Sequence, residues 1–473
     1  MVNTSFLPVF LWTDGLVYFL LTVVIASVFY IRKQAHLVAP WKLVLQRKRG
    51  VISIMILLCY VAVGLLDSVH FREALPKISV DETQHYSTEV ITLLDLAVMP
   101  LRQHVEKTYS APFATHLFVR EIQSRIDGKA DYKYPALKFS GSHLSDLSEK
   151  RLDIINTVMN STFKGLSIWL AVCLAFSFLV AKHQYISFKR GVSRILAGHY
   201  PYPIKTAFFM LFLLILLISN IAELSINYHV MGTDKVGQDV LYQTLKSVRT
   251  GLVIGTLTTL VMLPFALFMG IAAGYFKGWI DDVIQYIYTT LNSIPSVLLI
   301  AAAVLMLQVY MSNHAENFIT VAERADMRLL FLCLILGLTS WTGLCRILRG
   351  ETLKLREVDY VLAARSLGVG SFSILHRHIL PNLMHIVMIA IVLDFSGLVL
   401  VEAVLTYVGV GVDPSMDSWG KMINSARLEM AREPIVWWSL STAFFSMFTL
   451  VLAANLFADV VRDAFDPRAQ TAG

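Results

Sequence analysis

Long apolar runs separated by short, polar and mostly basic stretches fill most of this chain. Runs near the ~20 residues needed to cross a hydrocarbon core fall at 16–31, 51–66, 166–181, 207–221, 252–275, 283–310, 329–348, 384–408 and 436–460. They predict an all-α polytopic membrane protein with about nine transmembrane helices. One polar segment, 67–164, breaks the rhythm. Inside it Val90, Leu93, Leu94, Ala97, Val98 and Leu101 recur at helical steps, as do Leu144, Leu147, Leu152, Ile155 and Val158. Residues 127–142, with Gly128, Pro135 and Gly141, read as loop. The expectation is a small, mostly helical extracytoplasmic domain.

Composition agrees with the pattern. Of 473 residues 56% are hydrophobic and only 16% charged, against about 25% charged in soluble domains. The formal charge of +6 does not point to nucleic acid, because the bases cluster beside apolar runs. Residues 32–50 hold Arg32, Lys33, Lys42, Arg47, Lys48 and Arg49 with no acid; 182–205 hold Lys182, Lys189, Arg190, Arg194 and Lys205 with no acid. The positive-inside rule places both in the cytoplasm. Alternation then puts the N-terminus outside, the C-terminus in the cytoplasm, and residues 349–383 inside. Loop 276–282 departs from the rule, with Asp281 and Asp282 against Lys277. Cys59, Cys173, Cys333 and Cys345 all fall in apolar segments and read as small buried hydrophobes. The histidines of 67–164 are scattered, so no metal site is expected. The first apolar run lacks a basic flank before it and a cleavage site after it, and reads as a retained anchor.

Four parts result: anchor spans in 1–66, the extracytoplasmic domain 67–164, two additional spans in 165–230, and a five-span core in 231–468 carrying the cytoplasmic loop 349–383. The loop is too long for a plain connector. Residues 351–367 have helical spacing through Leu353, Val358, Val361 and Leu362. Ala363 and Ala364 let another surface come close. Gly368 suits a left-handed helix end, Ser371 a cap for a helix over 372–380, and Pro381 a stop or kink. This grammar predicts a rigid docking elbow.

The elbow resembles the coupling loop of binding-protein-dependent ABC importer permeases, through Ala363, Ala364, Gly368, Leu380 and Pro381. Gly232, Thr233, Asp234, Gly237 and Asp239 resemble the signature before the first core span of the oligopeptide/dipeptide/nickel branch. Residues 270–282, 402–411, Trp419-Gly420 and the tail 462–468 are similar to the same branch, as is the anchor span 51–66. Leu362 stands where the family has Glu, and Gln238 where it has Arg. The resemblance implies that Glu357, Asp359, Leu362, Ala363, Ala364, Arg365, Gly368 and Pro381 meet the ATPase. With Leu362 in place of an acid, that contact should rest on shape from Ala363, Ala364 and Gly368.

Three residues are candidates for the translocation pathway. Asp394 lies deep in an apolar span, where an ionised carboxylate is costly. Glu402 follows eight positions later, about 80° round the helix, so both suit one polar lumen. Asp394 equally suits a carboxyl held by a neighbouring subunit or kept protonated. Pro295 should kink its helix, as a gate hinge or as a fixed packing bend.

The resemblance implies a permease subunit of an ATP-driven importer for peptides. Its expected partners are a second permease chain (a hetero-pair being typical), two ATP-binding cassette subunits, an extracytoplasmic binding protein and the lipid bilayer. The chain has no phosphate-cradling Gly-x-x-x-x-Gly-Lys-Ser/Thr motif, so no enzyme activity of its own and no cofactor are expected. Two alternatives compete: a membrane sensor with 67–164 as input, and an ion-coupled transporter using Asp394 and Glu402.

Overall fold

The computed structural model describes residues 6–75, 85–124, 130–144, 146–198, 200–314, 316 and 320–465. Strand β1 (Phe6–Val9) leads into α1 (Trp12–Lys33), the short α2 (Ala35–Gln46) and α3 (Lys48–Asp67). Strands β2 (His70–Glu73) and β3 (Ile91–Thr92) follow, in a small antiparallel sheet ordered β1-β2-β3 with Phe6 opposite Glu73 and Phe71 opposite Ile91. Next come α4 (Leu93–Ala97), α5 (Met99–Gln103) and the hairpin strands β4 (Glu121–Ser124) and β5 (Ala130–Lys133). The additional hairpin is α6 (Lys150–His183), α7 (Phe188–Ala197) and α8 (Ile204–Asn227). The core comprises α9 (Val240–Phe276), α10 (Trp279–Ser293), α11 (Ser296–Asn313), α12 (Val321–Leu355), α13 (Asp359–Ser366), α14 (Ser371–Ile374), a π-helical turn (Leu375–Ile379), α15 (Leu380–Tyr407), α16 (Trp419–Glu429) and α17 (Trp438–Phe465).

Among the described residues nine helices are long and apolar enough to cross a membrane, with Ser371–Tyr407 counted as one. The all-α polytopic class therefore stands. Two expectations change in detail. The run 283–310 is not one kinked helix: Ile294 is extended, and Pro295 sits at the N-cap of α11. Proline cannot donate to the turn before it, and here the chain breaks completely into α10 and α11. The segment 67–164 is also not mostly helical. Between Ser68 and α6 it contains two short helices, a 3-10 turn and four strands. The first helical rhythm is split at Val98, just before Pro100. The second belongs mainly to α6, which continues into the membrane run. Residues 130–133, read as loop, are β5; Gly128 and the tail residues 466–468 lie outside the described residues.

Helix α9 is the hub. Asp239 caps its first turn, accepting from the backbone N–H of Leu241 (2.8 Å) and Tyr242 (3.3 Å). Thr320 and Glu323 form a capping box at the start of α12. Without a hydrophobic drive between helices in lipid, small residues decide how close they come. A Cβ on Gly274 would stand 2.5 Å from Thr352 Cβ, and one on Gly270 2.8 Å from Leu348 Cβ, so α9 and α12 touch backbone to backbone. Gly255 admits the Phe395 ring of α15 in the same way. Cys333 and Cys345 are buried in these contacts as small apolar groups.

Candidate functional site

The elbow between α12 and α15 is rigid for identifiable reasons. Val361, Ala364, Ile374, Ile379 and Leu383 are buried in one apolar cluster with Tyr275, Ile284, Leu348 and Val387. The Arg356 guanidinium donates to the Tyr275 carbonyl (2.8 Å), and Lys277 Nζ reaches Glu357 (3.2 Å). Asn382 donates to the Tyr360 hydroxyl (3.0 Å). Asp359 opens α13 and Arg365 closes it, each matching the helix dipole. Gly368 (φ +78°) turns the chain between α13 and α14.

The elbow exposes a set of apolar side chains beside Arg365, Ser366, Ser371 and Ser373. Leu362, Ala363, Val369 and Gly368 are exposed, and Leu367 and Phe372 are each 83% exposed. Four local readings need correction. Residues 351–367 are two helices, α12 and α13, broken at Arg356–Val358, where Val358 is extended. Ala364 points into the protein's own core, so its small size serves internal packing. Ser371 is not a cap: Gly370 holds the N-cap position and no side chain caps α14. Pro381 neither stops nor ends the helix. It is the second residue of α15, directly after the π-helical turn, whose shifted hydrogen-bond register accommodates a residue without an N–H.

The acidic turn at 276–282 is explained by its partner. Arg349 grips Asp281 with two parallel bonds, Nε–Oδ1 2.6 Å and Nη2–Oδ2 2.8 Å. The hydrogen bond from Arg349 holds the Asp281 carboxyl below its ordinary range. The base from the elbow loop thus neutralises the acid of the neighbouring turn.

The three pathway candidates do not share a surface. Asp394 is half-buried, with no ion-pair or side-chain hydrogen-bond partner among the described residues. Glu402 is 1% exposed; it accepts from Thr406 Oγ1 (2.8 Å), Ser418 and the Gly420 backbone at the start of α16. Eighty degrees of rotation is enough to carry it from Asp394's surface into the α15–α16 contact, so a single lumen lined by both carboxylates is not what the fold builds. Pro295, at the α10–α11 break, lines a cavity of about 210 Å³ with Asn292, Leu299 and Thr339.

The signature 232–239 is a socket at the other end of the core. Thr233 Oγ1 donates to the Thr108 carbonyl (2.9 Å) and accepts from the Ser110 N–H (2.7 Å). Asp234 Oδ1 accepts from the N–H groups of Val236 and Gln238, both 2.9 Å, while its Oδ2 accepts from the Gln243 side chain (2.8 Å). Gly232 (φ +71°) and Gly237 (φ +79°) take left-handed turns against the backbones of Ser110 and Glu106. His229, buried between them, places Nδ1 2.7 Å from Asp239 and Nε2 3.6 Å from Glu106. Glu106 also accepts from the N–H groups of Lys138 (2.9 Å) and Phe139 (2.8 Å).

Burial alone would lower the His229 imidazole, but Asp239 and Glu106 outweigh it and push it up to about 9. Burial would raise Glu106, but His229 and the two backbone donors hold it below its ordinary 4.5. The signs set a window. His229 contributes fully below its ordinary 6.5 and loses that contribution as pH rises through about 9. Glu106 contributes fully above 4.5 and loses it as pH falls through its lowered value. Protection of residues 104–142 from limited proteolysis should therefore be greatest between the ordinary values of the two groups, 4.5 for Glu106 and 6.5 for His229, and fall on both sides. His229→Gln should flatten the alkaline limb.

Two buried charge clusters were missed in the sequence. Arg249 of α9 donates to Asp14 (2.7 Å) and Thr13 (3.0 Å) of α1, and lies 3.8 Å from Asp326 of α12. His70 of β2 lies 2.7 Å from the other Asp14 oxygen. Three residues earlier, Lys246 meets Asp67 (2.6 Å) at the end of α3 and Asp95 (3.2 Å) of α4. The available signal was two bases, Lys246 and Arg249, on one face at the start of a membrane helix, which call for buried acids.

Residues 266–471 match the family described as binding-protein-dependent transport system inner membrane component. The chain is 32% identical over 240 residues to the glutathione transport system permease protein GsiD of Pectobacterium atrosepticum, covering 51% of this chain and 73% of that protein. It is 32% identical over 244 residues to the oligopeptide transport system permease protein OppC of Mycobacterium tuberculosis, covering 51% and 77%. The dipeptide transport system permease protein DppC of Bacillus subtilis is 29% identical over 240 residues, covering 51% and 69%. The sensor and ion-coupled alternatives give way to these relationships. The chain belongs to the binding-protein-dependent inner-membrane permeases of ABC importers, in the oligopeptide and dipeptide branch.

Proposed function

We propose that this chain forms half of a peptide-translocating pathway and receives the ATPase stroke through α13, Gly368 and the start of α14. The observation that carries the reading is the elbow's construction: a base buried in the core and an outer side on which Leu362, Leu367, Val369 and Phe372 are exposed. A membrane subunit needs such a stiff, apolar lever to be moved by a soluble partner. Five core spans make one half, so a second permease chain completes the pathway, two ATPase chains bind below, and a binding protein delivers substrate from outside.

Orientation follows the charge rule, with the N-terminus outside and the elbow and C-terminus in the cytoplasm. Same-side pairing supports it: Arg47 with Asp463, Lys277 with Glu357 and Arg349 with Asp281 join loops assigned inside. Asp394, without an ion-pair or side-chain hydrogen-bond partner among the described residues, is the candidate for the lining at the junction with the second permease. Asp394→Asn should lower uptake while the complex still assembles; unchanged uptake would remove it from the lining.

The docking claim is tested by affinity purification of the full chain from its own membranes in mild detergent. Wild type should bring ATPase chains with it. Leu367→Glu with Phe372→Glu should lose them while the second permease chain stays. ATPase recovery equal to wild type would overturn the elbow as docking site.

A further inference from the structure

We propose that α7 is an interfacial helix that binds the phosphate headgroups of anionic lipids and pins the additional α6–α8 hairpin to the membrane surface. The helix divides cleanly. Gly191 and Ile195 are buried, and a Cβ on Gly191 would meet Ala181 Cβ of α6 at 3.0 Å, so α7 folds back against the last turns of a membrane span. Phe188 is 40% exposed and Val192 half-buried on the same side. Lys189, Ser193, Arg190 and Arg194 occupy the opposite side, all exposed. Amphipathic helices with this division lie in the plane of the interface; here α6 takes up part of the apolar face, at Gly191, and leaves the basic side free.

Two observations commit this surface to lipid. The first is charge. Lys182, Lys189, Arg190, Arg194 and Lys205 are all exposed, none forms an ion pair among the described residues, and no acid falls within 182–205. Basic clusters next to membrane spans are drawn to anionic leaflets. The second is continuity. Both neighbours of α7 are spans whose apolar side chains face outward, such as Phe178 and Leu179 on α6 and Phe209 and Leu213 on α8. Joining the ends of two such spans, α7 falls at the depth of the headgroups. Gly198 (φ +78°) ends the helix and Tyr185, 97% exposed, precedes it; an exposed Tyr suits the aromatic belt at that depth. The proposal rests on α6 and α8 crossing the membrane and does not depend on the elbow's role.

The test titrates the purified, delipidated full chain with phosphatidylglycerol and with phosphatidylcholine, counting bound lipids by native mass spectrometry. Wild type should favour phosphatidylglycerol on the order of tenfold. The variant K189Q/R190Q/R194Q should lose most of that preference, and the charge-keeping K189R/R190K/R194K should retain it. Hydrogen exchange over 186–198 should be slower in phosphatidylglycerol nanodiscs than in phosphatidylcholine nanodiscs, and only for chains that keep the charges. Equal lipid preference in wild type and the Gln variant would overturn the proposal. So would full displacement of the lipid by millimolar inorganic phosphate, which would make a free anion the ligand. Cross-linking of α7 to an ATPase chain independent of lipid composition would assign the surface to protein instead.

Discussion

Arg249→Met should be the most damaging single change in the transmembrane region. The guanidinium is 5% exposed and is the shared partner of Asp14 and Asp326. Removing it leaves Asp14 with His70 alone and Asp326 with Thr13 alone, two buried carboxylates without the guanidinium they share. Breaking a buried ion pair from one side typically costs about 3–5 kcal/mol. The expected results are a markedly lower unfolding midpoint in detergent and release of α1, which packs on the core mainly through this end. The double variant R249M/D14N should recover part of the loss, because it removes a charge from both sides. A midpoint within error of wild type for Arg249→Met would show that the cluster holds nothing.

Gly237→Val should be nearly as severe, by a different route. Gly237 has φ +79°, where a β-branched residue is strained, and a Cβ there would land on the Glu106 carbonyl. Together overpacking and the left-handed conformation should cost roughly 3 kcal/mol. The damage should be local. Residues 104–142 should lose protease protection, while α9 to α17 stay folded and inserted. Global unfolding of the core would contradict the view of 232–239 as a socket for that segment.

Much of the membrane architecture was legible because a span needs only length and apolarity, both local properties. The elbow was legible for a similar reason: Gly368 and the short helices around it announce themselves within thirty residues. What was hidden depends on distant partners. Strand β2 is a strand because it pairs with Phe6–Val9 on one side and Ile91–Thr92 on the other; nothing in His70–Glu73 itself shows an alternating pattern. Asp14, Arg249 and Asp326 come from three helices far apart in sequence, so no motif contains them. Helical-wheel reasoning placed Glu402 near Asp394 but could not see α16 folding over it. Pro295 was correctly marked as an interruption, yet a kink and a full break look alike until Ile294 is found extended.

If the elbow transmits ATP-driven motion, Gly368 is where the transmission should break. A Cβ there meets nothing within 4 Å, so Gly368→Val adds no clash. It adds backbone strain at φ +78°, on the order of 1–2 kcal/mol, and should re-aim α13 relative to α14. The decisive measurement is substrate-dependent stimulation of ATP hydrolysis by the complete importer in proteoliposomes. The Gly368→Val complex should assemble but lose most of the stimulation, and the uptake with it. Stimulation and uptake at wild-type levels would contradict it.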